Sequence, residues 1–499
     1  MNSLMQLSEG FASLATNPVG LLWIACGVLV GIVSGAIPGL TATMGIAILI
    51  PITFSLDPEI ALGVLIAVYC GGLSAGAVPA VLLNIPGTPS AMATTLDGYP
   101  MAKNGQSARA LGWALIGSVF GGFVGWIALV TMAPMLARLA LKLGSAEYAA
   151  LSLFGLSIVV SLSQRALAKG LLCALLGLCL SMVGFDPLTG DDRWTFGTVN
   201  LFQGISFLPA LIGLFAIPEI LTAIATPNTK TDSQPNLDGM IPPLHEILQQ
   251  KWNLIRSAVI GVGVGIIPAI GGSIASLLAY AQSQRFEKDG KEYGTGRPGG
   301  VVATETANNG VTGGALIPLF TVGIPGDAAT AMLVGGLMIH GLQPGPQLFA
   351  TNGAVIYTIL AAFLIANVMM FFVSLYCYRY VIKILTFPKH MLYPGLLLMT
   401  VVGSFALNRQ IFDVGMMLGL GLMGFVARLG GFPVYPIVLG LVLGPIIETE
   451  TRRALLISGG DWSVFVSRPV SLVLIILTFA ALFGPKLLSL SRKPQLAGN

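Results

Sequence analysis

The sequence predicts an all-α polytopic membrane protein with about 11–15 membrane segments, arranged as two inverted repeats with broken helices or re-entrant hairpins. Only 9% of its 499 residues are charged and 55% are hydrophobic, whereas a soluble globular protein carries roughly 25% charged residues. Apolar runs recur along the whole chain, and the same arrangement of Gly and Pro residues occurs twice in it. Such a chain cannot cover a water-facing surface, which excludes a soluble enzyme, a disordered protein and a nucleic-acid-binding protein.

The apolar runs give the candidate membrane segments. A helix that crosses the hydrocarbon core needs about 20 apolar residues, and several runs are shorter or interrupted by Gly or Pro. The candidates lie near residues 17–36, 41–55, 60–84, 108–134, 146–163, 167–185, 204–224, 254–268, 273–284, 301–323, 353–382, 391–406, 411–427, 433–447 and 465–485. The long polar connections, at 186–203, 226–252 and 285–300, are too short to fold as soluble domains.

An internal repeat divides the chain. The segment from Gly31 to Pro38 aligns with Gly261 to Pro268, at an offset of 230 residues. At an offset of 239, Gly71, Pro79, Ile85, Pro86 and Gly87 align with Gly310, Pro318, Ile324, Pro325 and Gly326. This duplication predicts a first transmembrane repeat at 1–225, a polar linker at 226–252, a second repeat at 253–485 and a cytoplasmic tail at 486–499.

Lys and Arg predict opposite orientations for the two copies, because cytoplasmic loops carry an excess of these residues. Lys103 and Arg109 follow the first Ile-Pro-Gly, whereas 338–352, after the second, contains neither residue type. Before the motif the pattern reverses, although Arg138 and Lys142 do not fit it. The N-terminus is then periplasmic and the C-terminus cytoplasmic. Inverted repeats with broken helices are typical of secondary transporters.

The two Ile-Pro-Gly breaks point to a binding site. A helix that starts after Pro-Gly presents free N–H groups and the positive end of its dipole, which suit a carboxylate. Tight helix packing and N-capping are the alternative explanation, and Asp327 is a plausible cap. The candidate substrate- or ion-binding residues are Pro38, Gly39, Thr41, Thr43, Asn84, Pro86, Gly87, Thr88, Ser90, Ser273, Asn308, Asn309, Pro325, Gly326, Asp327 and Thr330. Na⁺ is a candidate ligand near Asn84, Asn308 and Asn309.

Glu305 is a further functional candidate, since a charged group within a membrane is costly. The alternative places it at the interface, paired with Arg297 or Arg285. Gly294, Gly296 and Gly299 form a GxGxxG pattern, but no βαβ unit surrounds it, and we interpret the segment as a flexible loop. The sequence contains no Walker A or HExxH motif. We therefore expect neither an enzyme nor a cofactor.

Three long motifs resemble one family. They are PGLTATMGIAILIPITF at 38–54, LLNIPGTPSAMATTLDGYPMAKNGQ at 82–106 and ATETANNGVTGGALIPLFTVGIPGDAATAMLVGGLMIHGLQPGP at 303–346. The chain resembles the large membrane subunit of tripartite tricarboxylate transporters (TctA-type) over essentially its full length. The matching positions of that family's presumed site are Asn84, Pro86, Gly87, Thr88, Ser90, Asn308, Asn309, Pro325, Gly326, Asp327 and Thr330.

The resemblance implies a multi-pass subunit of the bacterial inner membrane that imports di- or tricarboxylates such as citrate, coupled to a Na⁺ or proton gradient. It also implies two partners, a periplasmic solute-binding protein and a small membrane subunit of about four spans. A homo-oligomer remains open. The alternatives are a stand-alone secondary transporter or channel for another small solute, an intramembrane enzyme and a non-transporting scaffold. An enzyme would need convergent catalytic groups at depth, which the pattern lacks.

Overall fold

The computed structural model describes residues 3–162, 167–186, 188–225, 237–268, 270–384 and 389–491. The first helices are α1 (Ser3–Ala15), α2 (Pro18–Ala36), α3 (Ala42–Thr53), α4 (Pro58–Ala75), α5 (Ala77–Leu83), α6 (Thr95–Lys103), α7 (Ser107–Ala140), α8 (Ser145–Leu162), α9 (Leu167–Ser181) and α10 (Phe207–Ala225). Then come α11 (Leu244–Gln249), α12 (Lys251–Ile266), α13 (Gly271–Phe286), α14 (Pro298–Val322), α15 (Ala328–Ile339), α16 (Gln347–Thr351), α17 (Gly353–Ile384), α18 (Lys389–Asn408), α19 (Ile411–Leu429), α20 (Tyr435–Ile457), α21 (Val464–Ser467) and α22 (Pro469–Ser491).

The remaining regular elements are small. Short 3₁₀ helices occupy Pro89–Met92, Val199–Leu201 and Gly290–Glu292. Among the described residues the strands are β1 (Gly184–Phe185) and β2 (Asp192–Arg193), which pair antiparallel with Gly184 opposite Arg193. The prediction of an all-α protein is therefore confirmed. The candidate span 167–185 extends too far, because α9 ends at Ser181 and β1 follows it.

Six helical stretches in the described part of the chain are long and apolar enough to cross a membrane. They are Pro18–Ala36, Pro58–Leu83, Ser107–Ala140, Phe207–Ala225, Gly353–Lys383 and Ile411–Leu429. Six shorter apolar helices accompany them, at Ala42–Thr53, Ser145–Ser161, Leu167–Ser181, Ala328–Ile339, Tyr393–Ala406 and Pro469–Gly484. The polytopic prediction is confirmed. The predicted spans did not include Ala328–Ile339.

Packing divides the chain into two compact units. One unit contains Met1–Leu141 and Leu208–Phe425, and the other contains Lys142–Phe207 and Val426–Asn499. In the first unit α14 packs against α7 and α12, and α2 packs against α4. In the second unit α20 packs against α8 and α9, and α22 packs against α8. These units are groupings by contact, so the proposed repeat boundaries stay a prediction.

Helix pairs α2/α4 and α12/α14 make equivalent contacts. A Cβ on Gly31 would lie 2.5 Å from the Val68 carbonyl oxygen, and one on Gly261 would lie 2.3 Å from that of Ala307. Glycine lets the two backbones approach this closely. In the same way, the contact of Gly35 with Gly72 corresponds to that of Gly265 with Val311. The contact of Gly71 with Val28 corresponds to that of Gly310 with Ala258. Each correspondence follows the offsets of 230 and 239 residues, so the packing of the first pair recurs in the second.

The opposite orientation of the two copies stays a prediction. Residues 226–236 of the predicted linker and 492–499 of the predicted cytoplasmic tail lie outside the described residues. In the second unit, the segment after β1 is held by ion pairs. The Asp186 carboxylate lies 2.7 Å from Arg452 and 3.5 Å from Arg193. The hydrogen bond from Arg452 holds the pKa of Asp186 below its usual range, so this carboxylate stays ionised and fixes the loop to α20.

Candidate functional site

The two Ile-Pro-Gly segments share one backbone conformation. Asn84 follows the last residue of α5 and has a left-handed φ of 57°, and Gly323 follows the last residue of α14 with a φ of 77°. The amide of Ile85 donates to the Pro79 carbonyl at 3.3 Å, and the amide of Ile324 donates to that of Pro318 at the same distance. A left-handed residue directly after the last helical turn is a common way for a helix to end, and in both motifs the residue after it donates to the carbonyl six positions earlier. The broken-helix prediction therefore holds at both motifs.

The chain restarts differently after the two breaks. Thr88 leads into the four-residue 3₁₀ helix Pro89–Met92, so the first copy lacks the α-helical N-terminus that we predicted there. Asp327 directly precedes α15. Its carboxylate accepts a hydrogen bond from the Thr330 amide at 2.8 Å, and the Thr330 hydroxyl accepts one from the Asp327 amide. This reciprocal pair is a capping box. The N-capping explanation of Asp327 is confirmed, and the cap satisfies the Thr330 amide at the start of α15.

Tyr69 connects the first copy to the second loop. It lies on α4, and its hydroxyl donates to Asp327 Oδ2. Asp327 therefore uses one carboxylate oxygen for its own helix and the other for α4. No sequence pattern signalled this contact, because the two residues are 258 positions apart.

Helix α14 carries a polar stretch through the protein interior. Thr304, Glu305, Thr306, Asn308 and Asn309 are all at most 1% exposed. Glu305 is therefore enclosed by protein, and the alternative pairing with Arg297 is wrong. The reason lies in the charged segment before α14.

Arg297 instead pairs with two acidic residues of its own segment, Asp289 and Glu292. All three residues keep a large exposed fraction. Glu305 lies about two helical turns after the start of α14, and Arg297 does not pair with it.

Glu305 is held by neutral donors. The Thr94 hydroxyl donates to Oε1, and the Asn308 amide nitrogen lies 3.4 Å from Oε2. Asn309 Nδ2 donates to Ser118 Oγ at 2.8 Å and to the Glu305 backbone carbonyl at 3.1 Å. Thr94 belongs to the hydroxyl residues that follow the first Ile-Pro-Gly in the sequence. Ser118 was not predicted, because a single hydroxyl residue in apolar surroundings carries no signal of its own.

Asn308 presents an open acceptor. Its Nδ2 also lies 3.3 Å from the Leu73 carbonyl, so the nitrogen must face Leu73 and Glu305, since the reverse rotamer would oppose acceptors. The Oδ1 atom is then left buried with no hydrogen-bond partner. Buried polar atoms are rarely left unsatisfied in native proteins. This atom is therefore an acceptor that no described group of the protein fills.

The first loop lies beside that atom. A Cβ on Gly272 would lie 2.8 Å from Asn308 Oδ1 and 2.7 Å from the Ser90 Cβ. The Ser90 hydroxyl is in turn 3.0 Å from that of Thr88. Because Gly272 has no side chain, Asn308, Ser90 and the start of α13 meet at one point. We call Thr88, Ser90, Gly272, Glu305 and Asn308 the Asn308 site.

Other predicted residues contact other elements. Thr41 caps α3 by accepting the Met44 amide at 3.3 Å, and its hydroxyl donates to Glu219 on α10 at 2.9 Å. Pro38 accepts a hydrogen bond from Tyr393 of α18 at 3.4 Å. Gly39 and Asn84 are exposed, Ser273 and Pro86 are half-buried, and Thr43, Gly87, Pro325, Gly326 and Thr330 are buried. The structure thus joins Thr88 to Ser90 and places Ser90 and Asn308 on the same side of Gly272, whereas the Pro38–Thr41 segment contacts α10 and α18.

The glycine-rich segment binds a carboxylate of this chain. Asp97 Oδ1 accepts the backbone amides of Gly294, Gly296 and Arg297 at 2.8–2.9 Å, and Oδ2 accepts the Tyr280 hydroxyl at 2.9 Å. The interpretation as a flexible loop is therefore wrong, because α6 fixes this segment directly before α14. No group of three His, Cys, Asp or Glu residues within the described ranges is placed to hold a metal ion.

Comparison with known proteins gives a consistent result. Residues 21–439 match the family model described as the tripartite tricarboxylate transporter TctA family. An uncharacterized 52.8 kDa protein in the TAR-I ttuC' 3' region of Agrobacterium vitis is 35% identical over 471 residues, 94% of each chain. An uncharacterized protein in the TAR-II ttuC' 3' region of the same organism is 34% identical over 208 residues, 42% of this chain and 86% of the relative. No solved structure matches the chain.

Proposed function

We infer the function from the premise that this chain belongs to the tripartite tricarboxylate transporter TctA family. It is accordingly a multi-pass membrane subunit of a transporter. We propose that it imports di- or tricarboxylates of the citrate type across the bacterial inner membrane, driven by a Na⁺ or proton gradient. In this proposal a periplasmic solute-binding protein delivers the substrate and a small membrane subunit completes the complex.

The observation that carries the proposal is the unpartnered Asn308 Oδ1 beside the Ser90 and Thr88 hydroxyls. The hydroxyls can donate to a carboxylate. The amide oxygen cannot, and it suits a bound cation or a donor group of the substrate. A site that offers both kinds of group fits an anion that is carried together with a cation. It does not need an Arg or Lys, and none of the three residues is paired with one in the described structure.

Uptake into proteoliposomes tests the proposal. The vesicles contain this chain and the small membrane subunit, with the binding protein added outside and an imposed Na⁺ or proton gradient. A panel of radiolabelled di- and tricarboxylates, including citrate, is supplied. We expect accumulation that needs the gradient and stops when the binding protein is omitted. Absence of carboxylate uptake under either gradient, in a complex shown to be folded and assembled, would contradict the proposal.

Two variants locate the site. Thr88→Val and Ser90→Ala each remove one hydroxyl with little change in volume, so we expect reduced uptake and a retained fold. Thr131→Val is the matched control, since its exposed hydroxyl binds the Ile127 carbonyl of its own helix at 2.7 Å. Equal uptake by all three variants would place the carboxylate elsewhere.

A further inference from the structure

We propose that Asp97 is a positioning residue for substrate binding. It fastens the glycine-rich turn at 294–297 to α6, and this attachment sets where Ser90 lies along α13. The inference rests on the proposed function, in which Ser90 binds the carboxylate. It gives a role in transport to a sequence motif that the proposed function leaves unused.

Both oxygens of the Asp97 carboxylate are bound. Oδ1 accepts three backbone amides of the 294–297 turn at 2.8–2.9 Å, and Oδ2 accepts the Tyr280 hydroxyl at 2.9 Å. The side chain is only 1% exposed, and hydrogen bonds to an ionised acceptor are stronger than those between neutral groups. We call these four hydrogen bonds the Asp97 anchor. The anchor joins α6 to the start of α14 and to α13.

The turn has the shape that receives this carboxylate. Gly294 and Gly296 have φ values of 94° and 105°, which residues with a side chain rarely adopt. This conformation lets their amides converge on one oxygen, and such a concave run of N–H groups attracts an anion. A Cβ on Gly300 would lie 2.1 Å from Asp97 Oδ2, so glycine is needed on α14 as well to admit the carboxylate.

The segment 90–97 transmits the position of Asp97 to Ser90. The 3₁₀ helix Pro89–Met92 is followed by two residues with right-handed helical dihedral angles, and α6 begins directly after them. A continuous helical segment of this length moves as one piece. A displacement of Asp97 therefore displaces Ser90.

Helix α13 carries the contact points of both residues. Ser90 lies beside Gly272 in the first turn of α13, and Asp97 is bound to Tyr280 on the same helix. The eight steps from Gly272 to Tyr280 cover about 12 Å of α-helix. The seven steps from Ser90 to Asp97, in 3₁₀ and α turns, cover about 10–14 Å. Because the two lengths match, both contacts form in one register.

Thr94 lies between these contacts and is the weaker constraint. Its one hydroxyl proton is directed to Glu305, and the same oxygen lies 3.1 Å from Thr304 Oγ1. Both partners are side chains that can turn, whereas the donors of the Asp97 anchor are mainly backbone amides of a bonded turn. Without the anchor, we expect the segment 90–97 to move away from α13 and Ser90 to leave its place beside Asn308.

Thiol labelling of the assembled complex tests the proposal without any transport. Ser90 is 6% exposed, so the thiol of Ser90→Cys should react slowly with N-ethylmaleimide, measured for that residue by peptide mass spectrometry. We expect Asp97→Ala to raise this rate about tenfold or more, the change that the loss of one hydrogen bond to a charged group supports. Asp97→Asn keeps an acceptor oxygen for the amides and should restore most of the protection.

Asp186→Ala is the matched control. Asp186 is another buried carboxylate that accepts backbone amides, those of Leu188 and Thr189, and it belongs to the other compact unit. We expect this variant to loosen its own loop and to leave the labelling of Ser90→Cys unchanged. An unchanged rate in Asp97→Ala, or an equal rise in Asp186→Ala, would overturn the proposal.

Gly296→Ala disrupts the anchor from the side of the turn. The added Cβ would lie 3.0 Å from the Met101 amide nitrogen of α6, at a φ of 105° that alanine rarely adopts. We expect the same rise in labelling as for Asp97→Ala, and little further rise when the two are combined, since both remove one interaction. Fully additive rises would show that the two residues act separately and would count against the anchor.

Uptake of radiolabelled citrate distinguishes positioning from folding. A loss of folded protein lowers the maximal rate, but it leaves the citrate concentration for half-maximal uptake unchanged. We expect Asp97→Ala to raise that concentration about tenfold or more, since small displacements of binding groups have effects of this size, and Asp97→Asn to recover most of the affinity. An unchanged half-maximal concentration in Asp97→Ala would overturn the proposal. If wild type took up no carboxylate, the proposed function would fail, and the labelling would still decide whether Asp97 holds Ser90 in place.

Discussion

Helix pairs α2/α4 and α12/α14 have the same packing but different chemistry. Equivalent glycines bring the backbones together in both pairs. At the equivalent positions, however, Ile66 on α4 corresponds to Glu305 on α14, and Tyr69 corresponds to Asn308. One copy therefore carries an aliphatic side chain and a phenol where the other holds a carboxyl and an amide. The duplicated packing provides the broken-helix frame, and the second copy alone supplies the polar helix of the site.

The two loops differ in a complementary way. The loop of the first copy offers the neutral hydroxyls of Thr88 and Ser90, whereas that of the second offers the Asp327 carboxylate. Tyr69 of the first copy donates to Asp327, and Asn308 of the second copy lies beside Ser90. Equivalent helix positions thus reach the loop of the opposite copy. The site depends on contacts between the copies and not on either copy alone.

The largest expected effect comes from disrupting the glycine packing that the two helix pairs share. A Cβ on Gly35 would lie 2.0 Å from the Gly72 carbonyl oxygen, whereas a Cβ on Gly265 meets its nearest backbone atoms at 2.9 Å. Since backbone cannot move aside as a side chain can, Gly35→Ala should destabilise more than the roughly 1–3 kcal/mol typical of overpacking. We expect Gly265→Ala to fall within that range. Thermal unfolding of the purified protein in detergent measures both.

Gly263→Ala is the matched control for these two variants. It lies on α12 between the packed glycines, and a Cβ there meets nothing within 4 Å. We expect wild-type unfolding or a slight gain, because alanine favours the helix. Equal losses for Gly35→Ala and Gly263→Ala would show that helix contact does not limit stability at this crossing.

The next largest effect distinguishes Asn308 from Tyr69, the residue at the equivalent position of the first copy. Asn308→Ala removes the open acceptor and a donor to Glu305, so we expect uptake to fall to the level of empty vesicles. Tyr69→Phe removes one hydrogen bond to Asp327 and keeps the ring. We expect a loss of about 1–3 kcal/mol in unfolding free energy, since the buried acceptor loses a donor, and a smaller loss of uptake.

Uptake and thermal unfolding, measured on the same preparations, distinguish these two variants. Thr131→Val again serves as the control for a lost hydroxyl outside the site. If Tyr69→Phe abolished uptake while Asn308→Ala retained it, the functional assignment of the two copies would have to be reversed.

The sequence predicted the helix breaks better than the long-range contacts between side chains. Repeated Ile-Pro-Gly segments are local signals, so both helix breaks and the Asp327 cap were predictable from short motifs. The burial of Glu305 was not, because a helix entry and a helix interior are equally compatible with its position in the chain. Thr94 and Asp97 gain their roles from the packing of α6 against residues about 200 positions away. Such long-range register has no local sequence signal.

The smallest expected effect concerns Asn84, a predicted Na⁺ ligand. Asn84 is exposed and adopts a left-handed conformation that corresponds to that of Gly323 in the second copy. Asn is the non-glycine residue that tolerates this conformation best, so its choice here is explained by the end of α5. We therefore expect Asn84→Gly to keep wild-type uptake and to change the unfolding free energy by less than about 1 kcal/mol. Asn84→Ala, which strains the same backbone, should cost about 1–2 kcal/mol. Sodium dependence of uptake, measured for Asn84→Gly against wild type, decides the point. A reduced apparent affinity for Na⁺ with unchanged stability would make Asn84 an ion ligand and would give the first copy a functional role at its own helix break.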